Sequence, residues 1–188
     1  MAEKRYYMAC LDLERRSCLV VGGGSVALEK VRGLLECGAH VTVVAPEVCE
    51  ELRALDVEIL ERPYRPTDLD NRFLVIAATS RAGVNARVSR DARARSLFCN
   101  VADDPERCTF ILPAVARRGP LAIAVSTSGA SPALAQRLRD EAAERLLRPE
   151  VADLAERLRA LRPWARTNLK TYESRRRFFA SLVAEELG

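Results

Sequence analysis

Residues 18–27 read CLVVGGGSVA, an apolar run that stops at three glycines and continues into a helical pattern. A short apolar run closed by glycines predicts a buried strand. From residue 25 to residue 37 the apolar side chains recur at helical spacing, and Gly38 ends that pattern. A second β-branched run follows at residues 40–45 and stops at Pro46. Together these segments have the size of one βαβ unit.

The alternation of strands and helices continues along the chain. The patterns predict helices at 49–55 and 81–94, and strands at 57–60, 73–78 and 96–101. Such alternation predicts an α/β fold in which a Rossmann-type parallel sheet is covered by helices on both faces. The crossovers between parallel strands are expected to be right-handed.

The pattern changes after Cys108. Two β-rich runs, at 109–115 and 121–127, are joined by a short segment that contains Gly and Pro. With no helix between them, they predict a β-hairpin. Ser131 is a typical N-cap, and Pro132 suits the first position of the helix that follows.

The remainder of the chain, from 133 to 188, has a helical pattern. Pro149 and Pro163 are expected to divide it into separate helices, because proline removes a helical hydrogen bond. These changes place domain boundaries near residues 113 and 147.

Composition and charge narrow the class of protein. Hydrophobic residues make up 48% of the 188 residues and charged residues 30%, which excludes a disordered chain. The net charge of +4 is too small to indicate a nucleic-acid partner. No apolar stretch approaches the roughly 18–20 residues that span a bilayer, and the first 15 residues contain no signal-peptide core. The six cysteines form no CxxC pair, so we expect reduced thiols in a cytoplasmic protein.

The glycine turn fits a dinucleotide-binding motif, G-x-G-x-x-G/A, between Gly22 and Ala27. Gly22 permits the tight turn, Gly24 allows a pyrophosphate to approach the backbone, and Ala27 lets the helix pack closely on the strand. The start of the helix offers free N–H groups and a partial positive charge to the phosphates. The alternative is a structural turn that binds nothing.

The adenosine side of such a site usually carries an acid about 20 residues further on. Here the second strand ends at Ala45, Pro46 and Glu47, so Glu47 is the nearest carboxylate, and no arginine stands there to favour a 2′-phosphate. We therefore expect NAD rather than NADP. Thr79 ends the fourth strand and is a candidate contact for the nicotinamide side, or an ordinary turn residue.

Candidate acids and bases are few. His40 is the single histidine and stands at the amino end of a strand, away from the expected ligand edge. Residues 100–105, NVADDP, follow the fifth strand and so reach that edge. Asp103 and Asp104 could act as a proton acceptor. Asn, Asp and Pro are equally ordinary turn residues, and the spacing alone does not decide between these readings.

Five runs of sequence resemble, in order, the precorrin-2 dehydrogenase / sirohydrochlorin ferrochelatase family, which forms the amino-terminal half of siroheme synthases. They are VVGGGSVALEKVRGLLECGAHVTVVAP (20–46), FLVIAAT (73–79), FCNVADDPERCTFILPA (98–114), GPLAIAVSTSGASPALA (119–135) and ESRRRFF (173–179).

The resemblance implies NAD-dependent oxidation of precorrin-2 to sirohydrochlorin, and in some members also insertion of Fe²⁺. It implies a Rossmann domain at 1–113, a dimerisation segment of hairpin and helix at 114–147, and a helical module at 148–188. The family's catalytic aspartate falls on Asp103 and not on Asp104. The cofactor positions fall on Gly22, Gly24, Ser25, Val26, Pro46 and Glu47.

The substrate of this family carries many carboxylates, which arginine binds well through its planar fork. All but three of the 30 basic residues are arginine. The alternative for each of them is a solvated surface position. Some family members have serine where this chain has Thr127. The candidate substrate-binding residues are Asn100, Arg117, Arg118, Ser126, Thr127, Ser128, Arg175, Arg176 and Arg177.

Two other functions remain open: a non-catalytic dinucleotide- or tetrapyrrole-binding module, and a chelatase that has lost its redox step. No His/Cys cluster has metal-ligand spacing, so we expect no tightly bound metal. The length leaves no room for a methyltransferase module, so we expect no such activity. The segment after residue 113 is too small to form its own core, which predicts a homodimer.

Overall fold

The predicted βαβ unit lies at the centre of a parallel sheet. The structure is a computed structural model that describes residues 6–187 and divides into two units between Leu112 and Pro113. The regular elements of the first unit are β1 (Ser17–Val21), α1 (Ser25–Leu35), β2 (His40–Val44), α2 (Glu50–Arg53), β3 (Glu58–Leu60), β4 (Leu74–Ala77), α3 (Ala82–Ala94) and β5 (Phe98–Val101).

The strand order is β3-β2-β1-β4-β5, and all the pairings are parallel. The chain builds the sheet outward from β1 to β3 and then returns to place β4 on the other side of β1. The predicted Rossmann-type fold is therefore confirmed. In such sheets the reversal between β1 and β4 opens a crevice at the carboxyl ends of the strands, where ligands bind.

Helices cover both faces of this sheet because the strand side chains alternate. Cys18 and Val20 of β1 pack in one core with Val31 of α1. Leu19 and Val21 pack on the opposite face, in a core that includes Val88 and Ala92 of α3. Both faces are thus apolar, as expected for a parallel sheet buried on both sides.

The second unit begins with a β-hairpin, but its first strand is displaced from the prediction. Strands β6 (Ala114–Arg118) and β7 (Leu121–Val125) pair antiparallel, whereas the strand predicted at 109–115 is wrong in its position. Thr109 instead bonds to the edge of β5: its N–H donates to the Cys99 carbonyl (2.8 Å), and its Oγ1 accepts from the Cys99 N–H (2.7 Å). The segment between Thr109 and Ala114 therefore has no strand partner of its own.

Three helices complete the second unit: α4 (Pro132–Leu146), α5 (Pro149–Asn168) and α6 (Tyr172–Leu187). The predicted N-cap is confirmed, since the Ser131 hydroxyl accepts from the Leu134 N–H at 3.2 Å. The predicted break at Pro163 is wrong, because Pro163 lies inside α5. A single proline removes only one helical N–H, and the helix continues through the buried Ala165. The break comes after Asn168 instead.

Within residues 6–187, which include all six cysteines, no disulfide forms, and Cys18, Cys99 and Cys108 are buried. Burial raises the pKa of both the Cys18 and the Cys99 thiol to about 11. These two thiols are therefore protonated at neutral pH. Within residues 6–187, no helix combines the length and the apolar character needed to cross a membrane.

Candidate functional site

The segments that follow β1, β4 and β5 meet at the carboxyl edge of the sheet. Backbone pairing continues one residue beyond the strands: the Ala78 N–H donates to the Val21 carbonyl (2.8 Å), and the Ala102 N–H donates to the Ala77 carbonyl (2.9 Å). Neighbouring strands lie about 4.8 Å apart. The glycine turn after β1 and the aspartates after β5 are thus about two strand spacings from each other.

The three glycines of the turn have different reasons for lacking a side chain. Gly22 has φ +135°, and a Cβ there would collide with the Ala78 carbonyl. A Cβ on Gly23 would collide with the Glu47 carbonyl. Gly24 has an extended backbone, with φ −95°, and a Cβ there would meet nothing within 4 Å. The fold therefore requires Gly22 and Gly23, whereas Gly24 keeps the space in front of the helix open.

Helix α1 starts at this turn with its backbone donors directed outward. Gly24 is the N-cap and supplies no side-chain acceptor, and the first turn of the helix carries no acidic residue. Ser25 and Val26 lie in that first turn and are exposed, whereas Ala27 is fully buried against the sheet. Free N–H groups at a helix start attract anions. The predicted cofactor residues therefore fit the pyrophosphate of a dinucleotide.

Pro46 and Glu47 follow β2 after the buried Ala45, and both are exposed. Their loop is fastened to the glycine turn by the Cys49 N–H, which donates to the Gly23 carbonyl at 2.9 Å. The two segments thus form one continuous edge beside the start of α1. Glu47 is the acid of this edge.

Thr79 belongs to a turn that a buried side chain holds in place. Its hydroxyl donates to Asn85 Oδ1 at 2.7 Å, and Asn85 Nδ2 donates back to the Thr79 carbonyl at 2.9 Å. Sequence reasoning missed Asn85. The signal was present, because Asn85 shares the buried face of α3 with Val88 and Ala92. Its role is to fix the end of β4; a nicotinamide contact by Thr79 stays a prediction.

The two adjacent aspartates have different surroundings. The Asp104 carboxylate accepts from Arg107 Nη1 (2.5 Å) and from the Arg107 N–H (3.3 Å), and so caps the turn that follows it. Asp103 is exposed, with φ +58°, which is uncommon for a residue with a side chain. Within the described part of the chain, its carboxylate has no hydrogen-bond or ion-pair partner. The structure thus leaves one of the two carboxylates available.

Asn100 is buried, and its Nδ2 donates to the Phe110 carbonyl at 3.1 Å. This contact ties the segment after β5 to the strand. The structure gives Asn100 a structural role, and its contact with substrate stays a prediction.

The other candidate substrate-binding residues lie in the second unit. Thr127 Oγ1 accepts from the Ser131 N–H at 3.0 Å, which shapes the entry to α4, while Ser128 has φ +53°. Arg175 donates to the Leu169 carbonyl at 2.7 Å, and Arg177 pairs with Glu173 at 3.1 Å.

Arg176 is exposed and has no hydrogen-bond or ion-pair partner among residues 6–187. Of the three consecutive arginines it is therefore the one with a side chain still available. Arg117 and Arg118 are exposed at the end of β6.

His40 is exposed at the first position of β2, at the amino end of the sheet. This is the edge opposite the glycine turn. No group of three or more His, Cys, Asp or Glu side chains in the described ranges could hold a metal ion.

Comparison with known proteins agrees with this geometry. Residues 9–114, more than half of the chain, match the family described as "Putative NAD(P)-binding". The chain belongs to this family, and its first unit is a domain that binds a nicotinamide dinucleotide. Residues 118–143 match a second family, described as "Sirohaem biosynthesis protein central".

The similar proteins point to one group of enzymes. "Siroheme synthase 3" of Aeromonas hydrophila subsp. hydrophila is 41% identical over 181 residues, which cover 94% of this chain and 38% of that protein. The siroheme synthase of Sodalis glossinidius is 41% identical over 186 residues, which cover 93% of this chain and 39% of that protein. The chain thus spans about two fifths of the length of these curated relatives. The solved structure "SirC, precorrin-2 dehydrogenase" is similar with a TM-score of 0.78 and 28% identity, covering 95% of this chain and 89% of that one.

Proposed function

We propose that this protein is an NAD-dependent dehydrogenase that oxidises precorrin-2 to sirohydrochlorin in siroheme biosynthesis. One observation carries the proposal: Asp103 presents an exposed carboxylate with no partner in the described chain, at the sheet edge that also holds the glycine turn. The likeness to SirC over 95% of the chain supports the choice of reaction.

The cofactor we propose is NAD rather than NADP. Glu47 lies in the loop after β2, where Rossmann-type domains hold the adenosine ribose. A carboxylate there can accept hydrogen bonds from ribose hydroxyls and repels a 2′-phosphate. Pro46 and Glu47 would bind the adenosine side, and the first turn of α1 would bind the pyrophosphate.

In the proposed reaction, this chain orients the substrate and removes a proton. When bound, the oxidised nicotinamide ring accepts the hydride that leaves the macrocycle. Each hydride lost is accompanied by one proton, and we assign its removal to Asp103 as a general base. Asp104 holds the adjacent turn through Arg107 instead of reacting. Much of the driving force is the gain in conjugation of the product, so orientation is the main task of the protein.

The carboxylates of the tetrapyrrole need cationic partners. We propose that Arg176 is one of them, since it is exposed and carries no partner within the described residues. The guanidinium group can bind a carboxylate with two parallel hydrogen bonds. Ser126 and Ser128 would add hydroxyl donors beside the start of α4.

We further propose that the protein is a homodimer in the cytoplasm. In β6 and β7 no residue is fully buried. Leu134 and Leu138, one helical turn apart on α4, are 49% and 43% exposed. A second copy of the chain would cover these apolar side chains. The six cysteines, none of which forms a disulfide within residues 6–187, support a reducing compartment.

The test is an anaerobic assay with purified protein, precorrin-2 and NAD⁺. The expected result is NADH formation together with the sirohydrochlorin spectrum, dependent on the protein. A rate equal to the protein-free control, or full activity in Asp103→Ala, would refute the proposal.

The same assay separates the alternatives. Binding of NAD⁺ or sirohydrochlorin without turnover would indicate a binding module. Insertion of Fe²⁺ or Co²⁺ into sirohydrochlorin without NAD⁺-dependent oxidation would indicate a chelatase that has lost the redox step. Insertion of Fe²⁺ in addition to oxidation would show that both activities are present.

A further inference from the structure

A single buried thiol connects the two sides of the segment that carries Asp103. Cys108 is 3% exposed. Its sulfur accepts a hydrogen bond from the Val101 N–H at 3.1 Å, on the amino-terminal side of Asp103. The same sulfur lies 3.3 Å from the Asp104 carbonyl oxygen, on the carboxy-terminal side of Asp103. Because a sulfur atom is both a weak acceptor and a weak donor, one side chain can hold both ends of this turn.

Asp103 needs such support from its surroundings. Its φ of +58° belongs to a sparsely populated region for a residue with a Cβ. Backbone of this kind persists only where neighbouring contacts hold it, and it concentrates at active sites. The Asp104–Arg107 pair is exposed to solvent and forms at one end of the turn only. The Asp104 N–H closes the turn by donating to the Val101 carbonyl at 3.2 Å. Cys108 adds a buried side chain that contacts the backbone at both ends of the turn.

We infer that Cys108 is a positioning residue for Asp103. Its thiol keeps the turn at 101–104 in the conformation that directs the aspartate toward the sheet edge. This inference rests on the proposed function, because it assigns Asp103 the proton transfer. In this role Cys108 acts through the turn and touches neither substrate nor cofactor.

The simpler reading is that Cys108 only fills a small apolar space. Cys99 provides a matched comparison: it is also a buried thiol, it lies within β5, and it packs in the same core as Cys108. The sulfur of Cys99 makes no hydrogen bond to residues 101–104. Cys99→Ala therefore removes the same atoms as Cys108→Ala without removing the contacts to the turn.

The experiment compares Cys108→Ala, Cys108→Ser and Cys99→Ala with the wild type. Kinetic constants for precorrin-2 and NAD⁺ are measured anaerobically, and hydrogen exchange of the Val101 and Asp104 amides is followed in the absence of substrate. We expect Cys108→Ala to lower kcat by about 10- to 100-fold, as a small misplacement of a reacting group does. KM for NAD⁺ should stay unchanged, and both amides should exchange faster.

Cys108→Ser should recover most of kcat, because its hydroxyl can accept and donate as the thiol does, and Cys99→Ala should retain wild-type kcat. If Cys108→Ala does not fold, Cys108→Val fills the same volume without the hydrogen bonds. We expect it to lower kcat, to leave KM for NAD⁺ unchanged and to speed exchange of both amides. Equal losses of kcat in the two alanine variants, or no rescue by serine, would overturn the inference.

The exchange measurement separates the two proposals. If the wild type does not oxidise precorrin-2, the proposed function fails. Faster exchange in Cys108→Ala but not in Cys99→Ala would then still show that Cys108 holds the turn. Unchanged exchange would refute the positioning role whatever the activity.

Discussion

Asp103 and Asp104 carry the same side chain one residue apart, and only their contacts distinguish them. Asp104 gives both carboxylate oxygens to Arg107. Asp103 lies at the apex of the turn with a positive φ and an exposed carboxylate. A residue whose hydrogen-bonding capacity is satisfied locally is a poor proton acceptor, because the proton must displace an existing partner. This difference in contacts is why we propose Asp103, and not Asp104, as the proton acceptor.

Replacing Asp103 by asparagine tests this distinction. We expect kcat to fall by about 100-fold or more, the usual contribution of a general base, while the affinity for NAD⁺ is unchanged. Asp104→Asn is the control. It should lower the melting temperature, because it weakens the cap, and it should change kcat much less than Asp103→Asn does. A larger loss of kcat in Asp104→Asn than in Asp103→Asn would contradict the assignment.

Glu47 should determine the choice between the two nicotinamide dinucleotides. We expect the wild type to bind NAD⁺ at least about tenfold more tightly than NADP⁺, a difference of about 1.4 kcal/mol. Glu47→Arg should reverse this preference, since its charge attracts the 2′-phosphate. Calorimetric titration measures both affinities. Glu51→Arg, the same charge change at an exposed position of α2, should leave the preference as it was, and a reversal there would argue for a general charge effect.

At the scale of the element, the glycine turn contains one glycine that the fold needs, Gly23, and one that ligand binding is expected to need, Gly24. Gly23 is confined by the Glu47 carbonyl, whereas Gly24 faces open space with an ordinary φ. The strand and the helix on either side are set by local patterns. The close approach of the β2 loop to Gly23 is set by the pairing of β1 with β2.

Alanine at these two glycines should therefore give opposite results. We expect Gly23→Ala to lower the free energy of unfolding by about 1–3 kcal/mol, as overpacking does. Gly24→Ala should leave the stability equal or higher, because alanine restricts the unfolded chain, but should weaken NAD⁺ binding. Denaturant titration and calorimetry measure the two quantities. Unchanged NAD⁺ affinity in Gly24→Ala would show that no ligand approaches there.

The loop between β3 and β4 contains a partly buried ion pair, with Asp68 buried and Arg62 half-buried. Arg62 binds both oxygens of Asp68, at 2.6 and 2.9 Å. Burial works to raise the pKa of Asp68, but the hydrogen bonds from Arg62 and from the Arg65 N–H outweigh it and hold that pKa below its ordinary value of 3.8. The folded carboxyl therefore stabilises the protein above the unfolded pKa and loses this contribution as the pH falls through its lower folded pKa.

We expect Asp68→Asn to lower the free energy of unfolding at pH 7 by about 2 kcal/mol, in the range of a hydrogen-bonded charged group. The difference from the wild type should be constant between pH 5 and pH 7 and shrink below about pH 4, where Asp68 is protonated first in the unfolded chain and, at lower pH, in the folded protein. Urea titrations across this range measure it. A stability difference between wild type and Asp68→Asn that grows toward acid pH would contradict a lowered pKa of Asp68.

At the scale of the whole molecule, the second unit exposes several large apolar side chains. Leu134, Leu138 and Leu146 of α4 are 49%, 43% and 60% exposed, and Val115 of β6 is exposed as well. Apolar residues repeated on one face of a helix normally indicate a covered surface.

We therefore expect a mass of about two 20.8-kDa chains in light scattering at micromolar concentration. Leu138→Glu should shift the population toward the monomer, because burying an unpaired carboxylate is unfavourable. Gln136→Glu introduces the same charge at another exposed position of α4 and should leave the dimer intact. A wild-type mass near that of one chain would refute the homodimer.

The pattern of the chain predicted the parallel sheet, its helices and the turn at Gly22 because these depend on neighbours in sequence. It failed where distant contacts decide. The strand expected from Thr109 is displaced because Thr109 bonds to Cys99, and Pro163 continues a helix because the helix packs on both sides of it. Asn85 was missed because its partner Thr79 becomes visible only once β4 and α3 meet.

By itself, the sequence determined the order of strands and helices and the glycine turn, since hydrophobic period and backbone freedom are local properties. It also brought Asp103 and Asp104 to the carboxyl edge, because both follow a strand of a parallel sheet. Only the tertiary structure decided which aspartate is available, why Gly23 tolerates no side chain, and which thiol spans the turn. Those outcomes depend on atoms brought together by strand pairing, which no local pattern encodes.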